Sequence, residues 1–275
     1  MSKIAETSRK ASALKNKGVK IAKATWDKYV ETLAAASNKA AEEMERFVQR
    51  LDGNGGIDAY TDAVVGYAYA LATKYGEATA AAACDMYDAV AEASGVLLPA
   101  AEPAATATYA ETRKAIEGAA KFSKKVEYIA AVSGRLVKQA GADTTLKNAR
   151  RDGAQFAWIP HGDTCAFCLT LASRGWQNAS RAALNGDHAE HIHSNCDCTY
   201  AIRFNNKSYV EGYQPERYLE MYQNAEGDSP DQKIDALRRQ FYAENREKIN
   251  VQKRAAYAKR RELNSSAAEE LNVDE

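Results

Sequence analysis

The sequence predicts a mainly α-helical protein of long helical hairpins, with a small α+β module rich in cysteine and histidine in its C-terminal half. Three observations predict it. Apolar residues recur at helical spacing through most of the first 140 positions. Alanine is abundant, while only 5 of 275 residues are proline. Between Cys165 and Cys198 stand four of the five cysteines and three of the four histidines, with His161 just upstream.

Residues 1 to about 51 read as helix. Trp26, Tyr29, Val30 and Leu33 repeat at i, i+3, i+4, i+7, as do Met44, Phe47, Val48 and Leu51. The first 18 residues are basic with few large apolar groups, and read as a frayed or partner-ordered arm, or as a basic arm that touches DNA or another subunit. Asp52–Gly56 stops the helix, because glycine permits turns that helices exclude. A second helix is expected from about Asp58 to Ser94, with Val64, Tyr67, Leu71 and Tyr75 on one face and Gly95 as its stop. Residues 95–106 form a loop. A third helix is expected from Tyr109 to Ala140 and ends at Gly141, with Asp143 or Thr144 capping a short helix that follows.

At Gly153 the character changes. GAQFAWIP reads as a strand, CAFCLTLASRG as a short helix closed by Gly175, and CDCTYAIRF as a half-buried strand with Cys198, Tyr200, Ile202 and Phe204 on one face. Beyond Tyr209 the chain turns helical and charged again. Pro215 opens one helix, and Ser229-Pro230 opens a long one whose Ile234, Leu237, Phe241 and Tyr242 are expected to face a partner. The last dozen residues are polar and acidic and read as disordered. Three regions result: a helical domain over 1–141, an α+β module over 142–210, and C-terminal helices with an acidic tail over 211–275.

Two compact sets of soft ligands in the α+β module have the spacing of a tetrahedral zinc site. Cys165 and Cys168 form a C-x-x-C knuckle, and His193, Cys196 and Cys198 form an H-x-x-C-x-C cluster. Five candidates compete for four positions. One set is Cys165, Cys168, His193 and Cys196; the other is the four cysteines. Two short strands and a helix bury little surface by themselves, so a clamping metal would supply stability. The opening stretch is polar and lacks the apolar core of a secretion signal, so the expectation is a reducing compartment and thiols rather than disulfides.

Whole-chain composition narrows the classes. Lys plus Arg and Asp plus Glu balance at 37 each, so no global field drives the chain to nucleic acid or membrane. No apolar run reaches the roughly 20 residues that span a bilayer. Tyrosine, at 15 against 6 phenylalanines, suits half-wet interfaces.

Enzymatic readings of the cluster are weaker. His188-Ala-Glu190 and the C-x-x-C resemble the parts of a zinc deaminase, but in reversed order and without the proline before the cysteines. A metal-dependent nuclease would use His188, His191 or His193 with Glu190 or Asp187, at a spacing that matches no firm pattern. No Ser-His-Asp, Ser-Lys or Cys-His arrangement supports a protease. No catalytic residue is assigned.

The segments GAQFAWIPHGDTCAFCLTLASRG, HIHSNCDCTYAIRF and YVEGYQPERYLEMY resemble the minor capsid or head-morphogenesis proteins of tailed bacteriophages. These are the proteins similar to phage Mu protein F, in the branch of siphoviruses and prophages of Gram-positive hosts. That branch carries C-x-x-C-x-x-L-A-S-R-G and a later H-x-x-C-x-C, present here as Cys165–Gly175 and His193–Cys198. The resemblance spans about residues 145–225. HAEHIHSNC is richer in histidine than the family pattern. The resemblance implies a non-enzymatic virion protein with a structural zinc ion, oligomeric within the virion and present in host cytoplasm during assembly. Its implied partners are the portal and major capsid proteins and packaged double-stranded DNA.

Overall fold

The computed structural model describes residues 18–51, 61–122, 126–161, 165–179 and 198–271. The described residues are mainly helical, with seven helices and five short strands. Helices α1 (Lys23–Leu51), α2 (Thr61–Ala93) and α4 (Val126–Asp152) pack side by side, and α3 (Tyr109–Phe122) lies against α2 and α4.

The predicted apolar stripes do the packing. Trp26, Tyr29, Val30 and Leu33 are buried with Tyr87, Val90 and Leu146, while Met44 and Val48 are buried with Val64, Leu71, Ile116 and Ile129 at the other end of the bundle. Small residues bring the helices close. Ser37 Oγ donates to the Gly134 carbonyl at 2.9 Å, and Thr79 Oγ1 donates to the Val137 carbonyl at 2.7 Å. Helix α2 ends in a Schellman motif: Val96 N–H bonds Ala91 O, Gly95 N–H bonds Glu92 O, and Gly95 has φ +64°.

The third predicted helix differs. It is divided into α3 and α4, and α4 runs straight through Gly141, where a stop and a new cap were expected. A Cβ at Gly141 would stand 3.2 Å from the Thr79 carbonyl oxygen, so glycine serves close packing there rather than termination. Thr144 caps nothing; its Oγ1 donates to Ala140 O and accepts from Ala104 N–H. The expected boundary at 141/142 thus falls inside a helix, and one core joins Trp26 and Tyr29 to Phe156 and Trp158 across it.

Strands β2 (Gln155–Ile159), β3 (Gln177–Asn178) and β4 (Thr199–Arg203) form an antiparallel sheet in the order β3-β2-β4, with Phe156 opposite Ile202 and Trp158 opposite Tyr200. β4 is buried at Thr199 through Ile202 rather than on alternate residues, because α2 and α4 pack on it and the Tyr200 ring meets Phe156 and Trp158. β1 (Lys20–Ile21) pairs in parallel with β5 (Tyr209–Val210), tying the start of the described chain to its C-terminal half. Helix α1 therefore begins at Lys23 rather than within the arm, with Lys23 N–H capped by Glu211 Oε2 at 3.0 Å. The expected stop at Asp52–Gly56, and the arm over residues 1–17, lie outside the described residues.

Helix α5 (Ala166–Ala172), α6 (Pro215–Gln223) and α7 (Pro230–Leu271) complete the chain. Ser229 and Gln232 form a capping box, each accepting the other's backbone N–H. The apolar face of α7 meets its own chain: Leu237 is buried with Ala166 and Leu169, and Ile234 and Phe241 pack beside Tyr218 and Met221. The helix continues through Leu271, into the stretch expected to be disordered, because Ala267, Ala268 and Glu270 extend an existing helix without a new nucleation cost.

Candidate metal centre

The sheet register builds the centre. Ile159 faces Thr199, so the residues leaving β2 run beside the residue entering β4, which is Cys198. His161, two positions beyond β2, donates its backbone N–H to Cys198 Sγ at 3.4 Å. Four residues later Cys165 caps α5: its backbone is extended (φ −77°, ψ 161°) and its Sγ accepts the Cys168 N–H at 3.4 Å. Both N–H groups point at sulfur.

Cys168 and Cys198 are buried in the main core and Cys165 packs against it. Among the described residues no cysteine is in a disulfide. Among them, too, no three His, Cys, Asp or Glu side chains stand close enough to hold a metal ion. His193 and Cys196, the other two predicted ligands, lie outside the described residues, as do Asp187, His188, Glu190 and His191. Cys165 and Cys168 at the start of α5, and Cys198 at the entry to β4, are donors of the right kind for zinc.

The L-A-S-R-G run has a structural explanation. Leu171 and Ala172 are buried, Ser173 is the C-cap, and Gly175 takes φ +63° with its N–H bonded to Ala172 O. Tyr213 donates its hydroxyl to the Ala172 carbonyl at 2.8 Å, fastening the end of α5 to the segment before α6. The Tyr213 ring stacks on Tyr218 and meets Trp176 edge-on.

Sequence reasoning passed over His161 as a site residue. Its Nε2 lies 3.5 Å from Asp27 Oδ1, while its Nδ1 is buried with no hydrogen-bond partner among the described residues. It opens onto a cleft of about 360 Å³ lined also by Trp26, Asp27, Glu211, Tyr213 and Tyr218. The Lys23 ammonium, bonded to Asp27, holds that carboxyl below its ordinary range, and Lys20 does the same for Glu211. The clue in the sequence is position: Pro160-His161 closes a strand immediately before the C-x-x-C.

No described helix is long and apolar enough to cross a membrane. Among known proteins, the model of the VG15 protein family matches residues 20–225, which takes in α1 through α6. No curated protein and no solved structure matches the chain.

Proposed function

Because the chain belongs to the VG15 protein family and is a phage-encoded protein, we propose that it is a structural component of the virion. In this reading it is a minor capsid protein of head morphogenesis, associated with the portal and major capsid proteins and with packaged DNA. It is not an enzyme, and a structural zinc ion holds its α+β module.

The observation that carries the reading is the pair of backbone N–H groups, from Cys168 and His161, directed at Cys165 and Cys198 Sγ. Cys165 and Cys168 belong to either candidate set, and both sets, the four cysteines and the one containing His193, stay open. Zinc bound there would tie the α5 knuckle to β4, and its binding free energy would become folding free energy of the module. The resemblance motif supports the same reading, since its leucine, alanine, serine and glycine all serve burial or helix termination.

Two experiments test the reading. Purified heads of the parent phage, analysed by quantitative mass spectrometry, should contain this chain at few copies relative to the major capsid protein; its absence from heads would sink the virion role. The nuclease alternative rests on His188, Glu190 and His191. Incubating the metal-loaded protein with single- and double-stranded DNA should leave both intact, and cleavage abolished by a chelator would reinstate that alternative.

A further inference from the structure

Two polar groups in the three-stranded sheet are buried without being satisfied by the fold itself. Trp158 and Tyr200 stand directly opposite each other on β2 and β4, so both side chains leave the sheet on the same face. Their rings meet edge-on, 4.7 Å apart between centroids. Trp158 is 4% exposed and Tyr200 3%. The indole Nε1 of Trp158 and the hydroxyl of Tyr200 are themselves buried, and neither has a hydrogen-bond partner among the described residues. They do not bond each other.

Both residues wall one small cavity, with Leu171, Arg174 and Gly175 from the end of α5 on its other side. The space open to the centre of a water molecule there is about 10 Å³. That is the lower limit for holding one water, and no larger ligand fits. Tyr200 also borders a second space of the same size, beside Trp26 and Tyr29. Trp158 and Arg174 wall the first space and not the second. Burial pushes the Tyr200 hydroxyl up and the Arg174 charge draws it back, which places the hydroxyl on the side of the first.

We propose that this cavity binds one structural water, which bridges the Trp158 indole and the Tyr200 hydroxyl. An indole N–H can only donate, whereas a phenol both donates and accepts. A water between them accepts from Trp158 and exchanges a second hydrogen bond with Tyr200. Two polar partners lie within the range that buried waters use, while cavities with apolar walls alone stay dry. Two dry polar groups would instead forfeit the hydration that both have in the unfolded chain. The site also gives the L-A-S-R-G run a further role. Its Leu171, Arg174 and Gly175 close the space over the water, which then belongs to the fold as a side chain does. The water site stands or falls apart from the virion and zinc readings.

The test is a crystal structure of the full-length protein at a resolution that shows ordered waters. A density peak should stand about 2.9 Å from both Trp158 Nε1 and the Tyr200 hydroxyl oxygen. An empty cavity, a peak out of reach of either atom, or a direct bond from the indole to a protein acceptor would overturn the proposal, and the unaltered protein alone decides among these. Tyr200→Phe removes one of the two partners, so the peak should disappear from its structure. In solution, oxygen-17 relaxation dispersion should count one long-lived water fewer in that variant than in the unaltered protein. A peak that persists in Tyr200→Phe, or an unchanged count, would show that other groups hold the water and would sink the bridge.

Discussion

Asn148, fully buried in α4, holds Glu102 at both backbone groups: its Oδ1 accepts the Glu102 N–H at 2.9 Å, and its Nδ2 donates to the Glu102 carbonyl at 2.8 Å. The side chain does for the 95–107 segment what a neighbouring strand does for a β-strand. Thr144 Oγ1 accepts the Ala104 N–H nearby, and Asp88 Oδ1 accepts that of Ala101. Asn148→Ala removes both bonds to Glu102 and should destabilise the protein by about 1–3 kcal/mol in urea unfolding. Hydrogen exchange should show the Glu102 amide losing protection first. Unchanged protection there would mean that the segment is held by packing alone.

Tyr87 and Arg151 converge on Asp152. The tyrosine hydroxyl donates to Oδ2 at 2.9 Å and the guanidinium bonds Oδ1 at 2.8 Å. Burial pushes the carboxyl upward, but the bonds from Arg151 and Tyr87 outweigh it and hold it below the usual carboxylate range. A carboxyl depressed on folding stabilises the protein above its unfolded pKa, near 3.9, and that contribution is lost as pH falls through the lower folded value. Below pH 4, Asp152→Asn should therefore flatten the decline of stability with acid that the unaltered protein shows. An identical acid limb in both proteins would remove Asp152 from the account.

Two helical glycines should respond oppositely to alanine. At Gly118, a Cβ meets nothing within 4 Å, so Gly118→Ala should stabilise by up to about 1 kcal/mol through helix propensity. At Gly134, a Cβ would lie 2.8 Å from Ser37 Oγ and 2.9 Å from the Ser37 carbonyl oxygen. The backbone of α1 cannot yield as a side-chain tip can. Gly134→Ala should cost about 1–3 kcal/mol despite the same propensity gain. Thermal unfolding of the two variants side by side checks the sign of each.

These contrasts also mark what the sequence could and could not reveal. Trp26, Tyr29, Val30 and Leu33 announced their buried face, because periodic burial is written in the residues themselves. The turn on Gly95 and the cap at Ser229 were legible because they are local chemistry. Gly141 misled, since a glycine that ends a helix and one that admits a neighbouring helix look alike without the neighbour. The β1–β5 pair was invisible for a related reason: Lys20–Ile21 and Tyr209–Val210 carry no strand pattern, and only the fold brings them together. At the metal centre, the ligand types were evident from spacing, whereas the His161 N–H on Cys198 depends on the register of β2 against β4.

That bond makes the choice of ligands testable. If four cysteines hold the zinc, Cys168→Ser and Cys198→Ser should each lose metal, while His193→Ala should keep one zinc per chain by mass spectrometry. Structural zinc in small peptides contributes about 10–16 kcal/mol of apparent binding free energy, so loss of one ligand should expose the rest of the module as well. Thiol titration would show this as joint release of the remaining cysteines of the cluster in the serine variants, and upon chelation of the unaltered protein. Cys84 is a separate control: it sits on α2, half-buried, with its thiol pushed up by burial, and should react at the same slow rate in every variant. Retention of zinc by Cys198→Ser together with its loss from His193→Ala would reverse the assignment, placing the fourth ligand on the histidine and leaving Cys198 as a core thiol.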